Sequence, residues 1–183
     1  MQLRPEQQAP SAWVCRFAHL IAPGGAVLDL ACGQGRHARY LAGLGYQVEA
    51  LDRDSIALAA LAGAARIATR CIDLEDSPWP YATERFDGIV VTNYLHRPLA
   101  PALLNALRPG GIFIYETFAM GNQKLGRPSN PEFLLRPDEL LQWVSGRLQV
   151  LAFEQGLIGR PKAAVIQRIC AVHRGVEDCR LDS

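Results

Sequence analysis

From Ser11 the apolar residues Trp13, Phe17, Leu20 and Ile21 recur at helical spacing, until Pro23-Gly24-Gly25 ends the pattern. AVLDL (26–30) then reads as a buried strand, followed by a glycine loop and a helix over about 36–44. QVEALD (47–52) is a second strand, and Asp54 or Ser55 can cap the Ala/Leu-rich helix behind it. RIATRCID (66–73) gives a third strand, whereas LEDSPWPYATER (74–85) is polar and proline-broken and reads as loop. FDGIVVT (86–92) is a fourth strand and LAPALLNAL (99–107) a helix. Arg108-Pro109-Gly110-Gly111 turns tightly into a fifth strand, GIFIYET (111–117). Residues 118–136 show no periodicity, and 137–145 form a short helix with Pro137 in its first turn. LQVLAFEQ and AAVIQRICAVH read as two last strands, paired as a hairpin around Gly156-Leu157-Ile158-Gly159.

Strands that alternate with helices and are apolar on both faces imply an α/β domain with a parallel sheet. The closing antiparallel hairpin is the unusual element. A chain of 183 residues with no composition break or internal repeat is expected to form one domain over 11–173. An irregular segment at 1–10 and a polar tail at 174–183 flank it. With 20% charged and 49% hydrophobic residues, a globular fold is expected rather than disorder. The net charge is +1 and the basic residues are scattered, so no duplex-binding patch stands out. The five cysteines include no C-x-x-C pair, so neither a metal site nor a disulfide framework is expected. The first residues lack a signal-peptide core and no stretch approaches a membrane span, so the expected location is the cytoplasm.

In an open α/β sheet, ligands bind beyond the carboxyl ends of the strands. Strand one ends at Asp29 and the glycine loop, strand two at Asp52, strand three at Asp73, strand four at Asn93-Tyr94 and strand five at Glu116-Thr117. Either Asp52 or Asp73 alone could be a helix cap or a turn residue. Asp29 sits between apolar residues, where an ionised carboxylate is costly without a partner. The loop GQGRHA also fits a dinucleotide fingerprint, in which backbone amides approach a pyrophosphate. A carboxylate four residues before the first of those glycines would repel that anion. A cationic nucleoside without phosphate suits the three aspartates better, and S-adenosylmethionine is such a molecule. Asp29 suits its cationic end, directly or through water; Asp52 suits two ribose hydroxyls and Asp73 the adenine amino group. Gly33 and Gly35 let the backbone pass close to the nucleoside.

VLDLACGQGRHA, LDRD, CIDL, FDGIVVTNYLH and LRPGGIFIYETF, in this order and spacing, resemble the class I (Rossmann-like) S-adenosylmethionine-dependent methyltransferases. The small bacterial tellurite-resistance-type enzymes are the nearest resemblance. It implies a seven-stranded sheet of order 3-2-1-4-5-7-6, with strand seven antiparallel and helices on both faces. Ala31 stands where the family loop usually has its first glycine. The cofactor contacts implied are Asp29, Ala31, Gly33, Gly35, Arg36, Asp52, Arg53, Asp73, Leu74 and Asn93.

Methyl transfer from a sulfonium is an in-line displacement, so a base is needed only when the acceptor starts protonated. Tyr94, His96 and Glu116 are the candidate catalytic groups. His96 has the most suitable unperturbed pKa, with capping or packing of the helix near Leu99 as the alternative. Asn93-Tyr94 lacks the two prolines of the N/D-P-P-Y motif of nucleic-acid amino methyltransferases, so that substrate class is not supported. A nineteen-residue link at 118–136 is long for a compact domain. It is expected to overlie the acceptor pocket as an ordered lid or as a mobile loop. Tyr115, Lys124, Arg127, Asn130 and Phe133 are the candidate substrate contacts. The segment around Trp13 is expected to close the pocket from the other side. The expected partner is a small-molecule methyl acceptor, without nucleic acid or membrane. A non-catalytic cofactor-binding regulator, an RNA or protein methyltransferase and an NAD oxidoreductase are the rival readings.

Overall fold

The computed structural model describes residues 9–173. The expected tail at 174–183 and the first eight residues of the expected irregular segment lie outside them. Helix α1 (Ala12–Phe17) is capped by the Ser11 side chain and runs on as a 3-10 turn. Strand β1 (Ala26–Leu30) leads through the glycine loop into α2 (Arg36–Gly43), and β2 (Gln47–Asp52) into a short α3 (Ser55–Ala59). Asp54, rather than Ser55, caps α3, its Oδ1 accepting from the Ile56 and Ala57 amides. Then come β3 (Ile67–Cys71), β4 (Phe86–Thr92), α4 (Ala100–Ala106), β5 (Leu107–Phe118), α5 (Glu139–Val144), β6 (Leu148–Ile158) and β7 (Ala164–His173).

The sheet order is β3-β2-β1-β4-β5-β7-β6, with β7 antiparallel to both neighbours, as the resemblance implied. Side chains alternate across it. Leu28 and Leu30 pack with Phe86, Leu103, Leu107 and Leu140 on the face covered by α4 and α5. Val27 points the other way, with Trp13, Phe17, Leu41, Val90 and Cys170, beneath α1 and α2. Asp29 shares the parity of Val27 and so lies under the start of α2.

Several boundaries differ from expectation, each for a tertiary reason. Strand β3 ends at Cys71 because only Ile67–Cys71 find partners on β2. Strand β5 takes in the 108–111 turn, since Leu107 already pairs with Phe86 before a register shift. The last hairpin turns after Ile158, which still pairs with Ala164. Helix α5 starts at Glu139, because Asp138 takes a left-handed conformation (φ 58°) and leaves Pro137 outside. Cys15, Cys32, Cys71 and Cys170 form no disulfide among the described residues.

Segment 118–136 is ordered rather than structureless. It holds two 3-10 turns, Asn122–Lys124 and Pro131–Phe133, and closes on itself through a bridge between Ala119 and Leu135. The buried Asn122 donates to the Pro128 carbonyl and accepts from the Val165 amide. Arg97 grips the carboxylate of the buried Glu139 with Nε (2.7 Å) and Nη2 (3.0 Å). It also donates to the Glu132 and Leu134 carbonyls. Burial pushes the Glu139 carboxyl up, but Arg97 and the Arg136 amide outweigh it and leave it below its ordinary value. Its contribution to stability is therefore present above the ordinary carboxylate pKa and lost as the pH falls through the folded value. Glu139→Gln keeps the shape and is expected to cost about 1–2 kcal/mol at neutral pH. That loss should shrink in acid, as read by denaturant unfolding at several pH values.

Candidate active site

At the carboxyl edge, the loop after β1 runs in left-handed backbone at three alternate positions: Ala31 (φ 55°), Gly33 (φ 54°) and Gly35 (φ 76°). An alanine tolerates this conformation at a cost of about 1 kcal/mol, which explains how Ala31 occupies a position glycine usually fills. The two glycines differ in surroundings. A Cβ on Gly33 would meet no atom within 4 Å, so the crest of the loop faces open space. A Cβ on Gly35 would meet three side-chain carbons of Leu61, the nearest at 2.5 Å.

Asp29 is 1% exposed, and its Oδ2 has no hydrogen-bond partner. Burial pushes its carboxyl up to about 7; the Ala38 amide and Arg36 pull it down, and Asp52 adds to the rise. Asp52 accepts the Gly33 amide on Oδ2 (2.7 Å) and the Asp54 amide on Oδ1 (3.0 Å), tying the loop to the end of β2. Asp73 accepts the Glu75 amide and pairs with Arg53 at 3.4 Å, and Leu74 is buried beside it. Asn93 follows β4 with φ 56°, its amide donating to the Glu116 carbonyl. Burial pushes the Arg36 guanidinium down, while Glu116 and Asp29 hold it up.

The candidate catalytic and substrate groups separate in space. Burial, Glu75 and Asp73 push the Tyr94 hydroxyl up, so it stands on the Asp73 side and not beside Glu116. Tyr115 is in the core: it is 1% exposed, its ring packs on Phe113 and Trp143, and its hydroxyl donates to the Tyr94 carbonyl. Its place as a substrate contact is corrected by that burial. His96 is half-buried just before the 3-10 turn at Arg97–Leu99, and its side chain makes no capping bond. Lys124, Arg127, Asn130 and Phe133 are all exposed on segment 118–136, and Asn130 spends its Oδ1 capping the Glu132 amide.

Trp13 does not reach the site either. It is buried against the sheet, and its Nε1 donates to the Ile169 carbonyl. Its neighbour Ser11 does reach it, donating through Oγ to Glu116 Oε1 (2.7 Å) and through its amide to His37 Nε2 (3.0 Å). The neutral His37 ring thus carries its proton on Nδ1, facing Thr92 Oγ1 at 3.4 Å. Burial and Arg36 hold its pKa down to about 3. Glu116 Oε2 accepts from Arg168 at 3.2 Å. Ser11, His37 and Arg168 carry no strand-end signal, and Thr92 closes β4 just before the Asn93-Tyr94 pair read as its end. His37 alone could have been noticed, because it shares the buried face of α2 with Ala38, Leu41 and Ala42. A separate cleft of about 320 Å³, lined by Gln47, Arg66, Arg85 and Phe86 among others, opens at the opposite edge, far from these groups.

Residues 27–111 match a family model described as a methyltransferase domain. A protein-L-isoaspartate O-methyltransferase of Chlorobaculum tepidum is 32% identical over 115 residues, which cover 56% of this chain and 49% of the relative. Among solved structures, TehB from Haemophilus influenzae superposes with a TM-score of 0.76 at 23% identity, covering 90% of this chain and 63% of TehB. The 1,6-didemethyltoxoflavin-N1-methyltransferase of Burkholderia thailandensis, solved with 1,6-didemethyltoxoflavin and S-adenosylhomocysteine, gives 0.67 at 20% identity, covering 93% and 80%. The chain thus spans about half of the isoaspartate enzyme (49%) and under two thirds of TehB (63%). Residues 27–111 thus resemble a methyltransferase domain, and the chain has the fold of the class I methyltransferases.

Proposed function

We propose that the protein transfers a methyl group from S-adenosylmethionine to a small-molecule acceptor at the ends of β4 and β5. The observation that carries this reading is Asp29, a buried carboxylate with an unpartnered oxygen beneath an open glycine crest. A pyrophosphate there would meet a buried carboxylate, whereas an ammonium would satisfy it. Asp52 takes the ribose diol and Asp73 the adenine amino group, with Arg53, Leu74 and Asn93 walling the nucleoside. Ala31, Gly33 and Gly35 offer bare backbone, and Arg36 faces the amino-acid carboxylate. When bound, S-adenosylmethionine supplies an electrophilic methyl carbon on a sulfonium.

What remains for the chain is to align the acceptor and exclude water. His96 is the group for an acceptor that starts protonated, since its imidazole is half-buried and is not used as a cap. Lys124, Arg127 and Phe133 form the outer, adaptable side of the acceptor region, suited to an anionic or polar molecule. A small acceptor is supported by the toxoflavin methyltransferase, whose structure holds one. A cytoplasmic location belongs to the same reading, and none of the described helices is long and apolar enough to cross a membrane.

Titration calorimetry with S-adenosylhomocysteine tests the reading. The wild type should bind, and Asp52→Ala should bind at least about tenfold more weakly, since it loses charged acceptor bonds and frees the Gly33 amide. A wild type that fails to bind, or equal affinities, would rule the assignment out.

A further inference from the structure

We infer that residues 9–11 form a latched strap over the cofactor pocket, with Ser11 as the latch and Arg168 as the positioning residue that sets its catch. The inference rests on the cofactor reading above. Three contacts fasten the strap, and each ends on a residue at the ligand edge. The Ser11 hydroxyl donates to Glu116, the Ser11 amide donates to His37, and the Ala9 carbonyl accepts from Arg36 Nη1 at 3.3 Å. The charges of Asp29 and Glu116 both act on the same Arg36. Entry or exit of the amino-acid end of the cofactor beside Arg36 therefore disturbs the strap directly.

Arg168 makes the catch rigid. It stands opposite Glu116 on β5 and opposite Glu154 on β6, so a carboxylate–guanidinium–carboxylate row crosses three strands. It donates to both carboxylates while its guanidinium stacks on the Trp13 ring, 4.7 Å from the centroid. One side chain thus orients Glu116 and seats the helix that carries the strap. With both oxygens taken by donors, Glu116 is an acceptor held in place, and its part is to fasten Ser11 rather than to take a proton from the substrate. His37 completes the arrangement as a neutral acceptor. Glu116 faces Ser11, Arg36 and Arg168, and His37 faces Ser11, Thr92 and Arg36.

The test compares the wild type with Ser11→Ala, Glu116→Gln and Arg168→Lys. Two quantities are read: amide hydrogen exchange at Ser11 in the free protein, and the dissociation rate of S-adenosylhomocysteine. Ser11→Ala should lower the Ser11 protection factor and speed dissociation, each about tenfold. Because it also removes the cap of α1, it should lower Tm by roughly 2–4 °C. Glu116→Gln keeps an acceptor for the hydroxyl and should fall between the two, as should Arg168→Lys. A merely structural role would move Tm and leave the dissociation rate alone. Unchanged protection in Ser11→Ala overturns the latch. Lower protection with an unchanged dissociation rate overturns the strap's part in cofactor exchange. If the wild type binds no S-adenosylhomocysteine, the cofactor reading fails, and hydrogen exchange still decides whether Ser11 holds the strap.

Discussion

Asp29→Asn is expected to stabilise the free protein above neutral pH and at the same time to weaken S-adenosylhomocysteine binding about tenfold to hundredfold. The carboxyl is held at about 7 in the fold, against an ordinary value of 3.8, chiefly by burial. Between those two values the folded state binds more protons than the unfolded one, so the side chain costs stability increasingly as the pH rises. The cost is absent in acid below the ordinary value and complete above about 7. Asparagine removes the charge, so the two unfolding curves should coincide in acid and separate towards neutrality, by about 1 kcal/mol or more. Binding reverses the preference. An ammonium next to Asp29 favours the ionised form, so the wild type should release a proton on binding below about pH 7 and lose affinity as the pH falls. Calorimetry in two buffers of different ionisation heat reads that proton. No proton release and a flat affinity profile in the wild type would remove Asp29 from the cofactor's cationic end.

Gly35→Ala is expected to destabilise the protein by about 3 kcal/mol, lowering Tm by roughly 6–12 °C. Its φ of 76° costs an alanine about 1 kcal/mol, as Ala31 already shows to be tolerable. The larger part comes from Leu61, whose Cδ1, Cδ2 and Cγ all lie within 2.8 Å of the added carbon. Leu61 is 1% exposed, so its side chain has nowhere to retreat and the start of α2 must shift instead. Gly33→Ala is the control. It has the same backbone sign but open space around it, so it should cost only about 1 kcal/mol while impairing S-adenosylhomocysteine binding. Equal losses of stability in the two variants would show that Leu61 plays no part.

Where a property rests on neighbours in sequence, the chain announces it. The run AVLDL declares both a buried strand and a carboxylate that needs a partner, because period-two alternation and the cost of burying charge act within five residues. The aspartates at the ends of β1, β2 and β3 are therefore legible in the chain itself, as are the strand order that the resemblance carries and the loop nature of 74–85. Segment 118–136 reads as structureless in the chain because its order comes from Arg97, Glu139 and Val165, which lie outside it.

The side of each catalytic candidate is not legible either. Tyr115 and Glu116 are adjacent on a strand buried on both faces, where alternation decides which points to the core but polarity does not say which face is which. Least visible is the meeting of Ser11 with His37 and Glu116, residues 26 and 105 positions away. The sequence by itself determined the sheet, the glycine loop and the acidic edge, since these follow from local periodicity and burial. Only the tertiary structure decided which polar groups share one spot above that edge. Contacts across such separations are made by packing helices onto the sheet, and packing leaves no period in the chain.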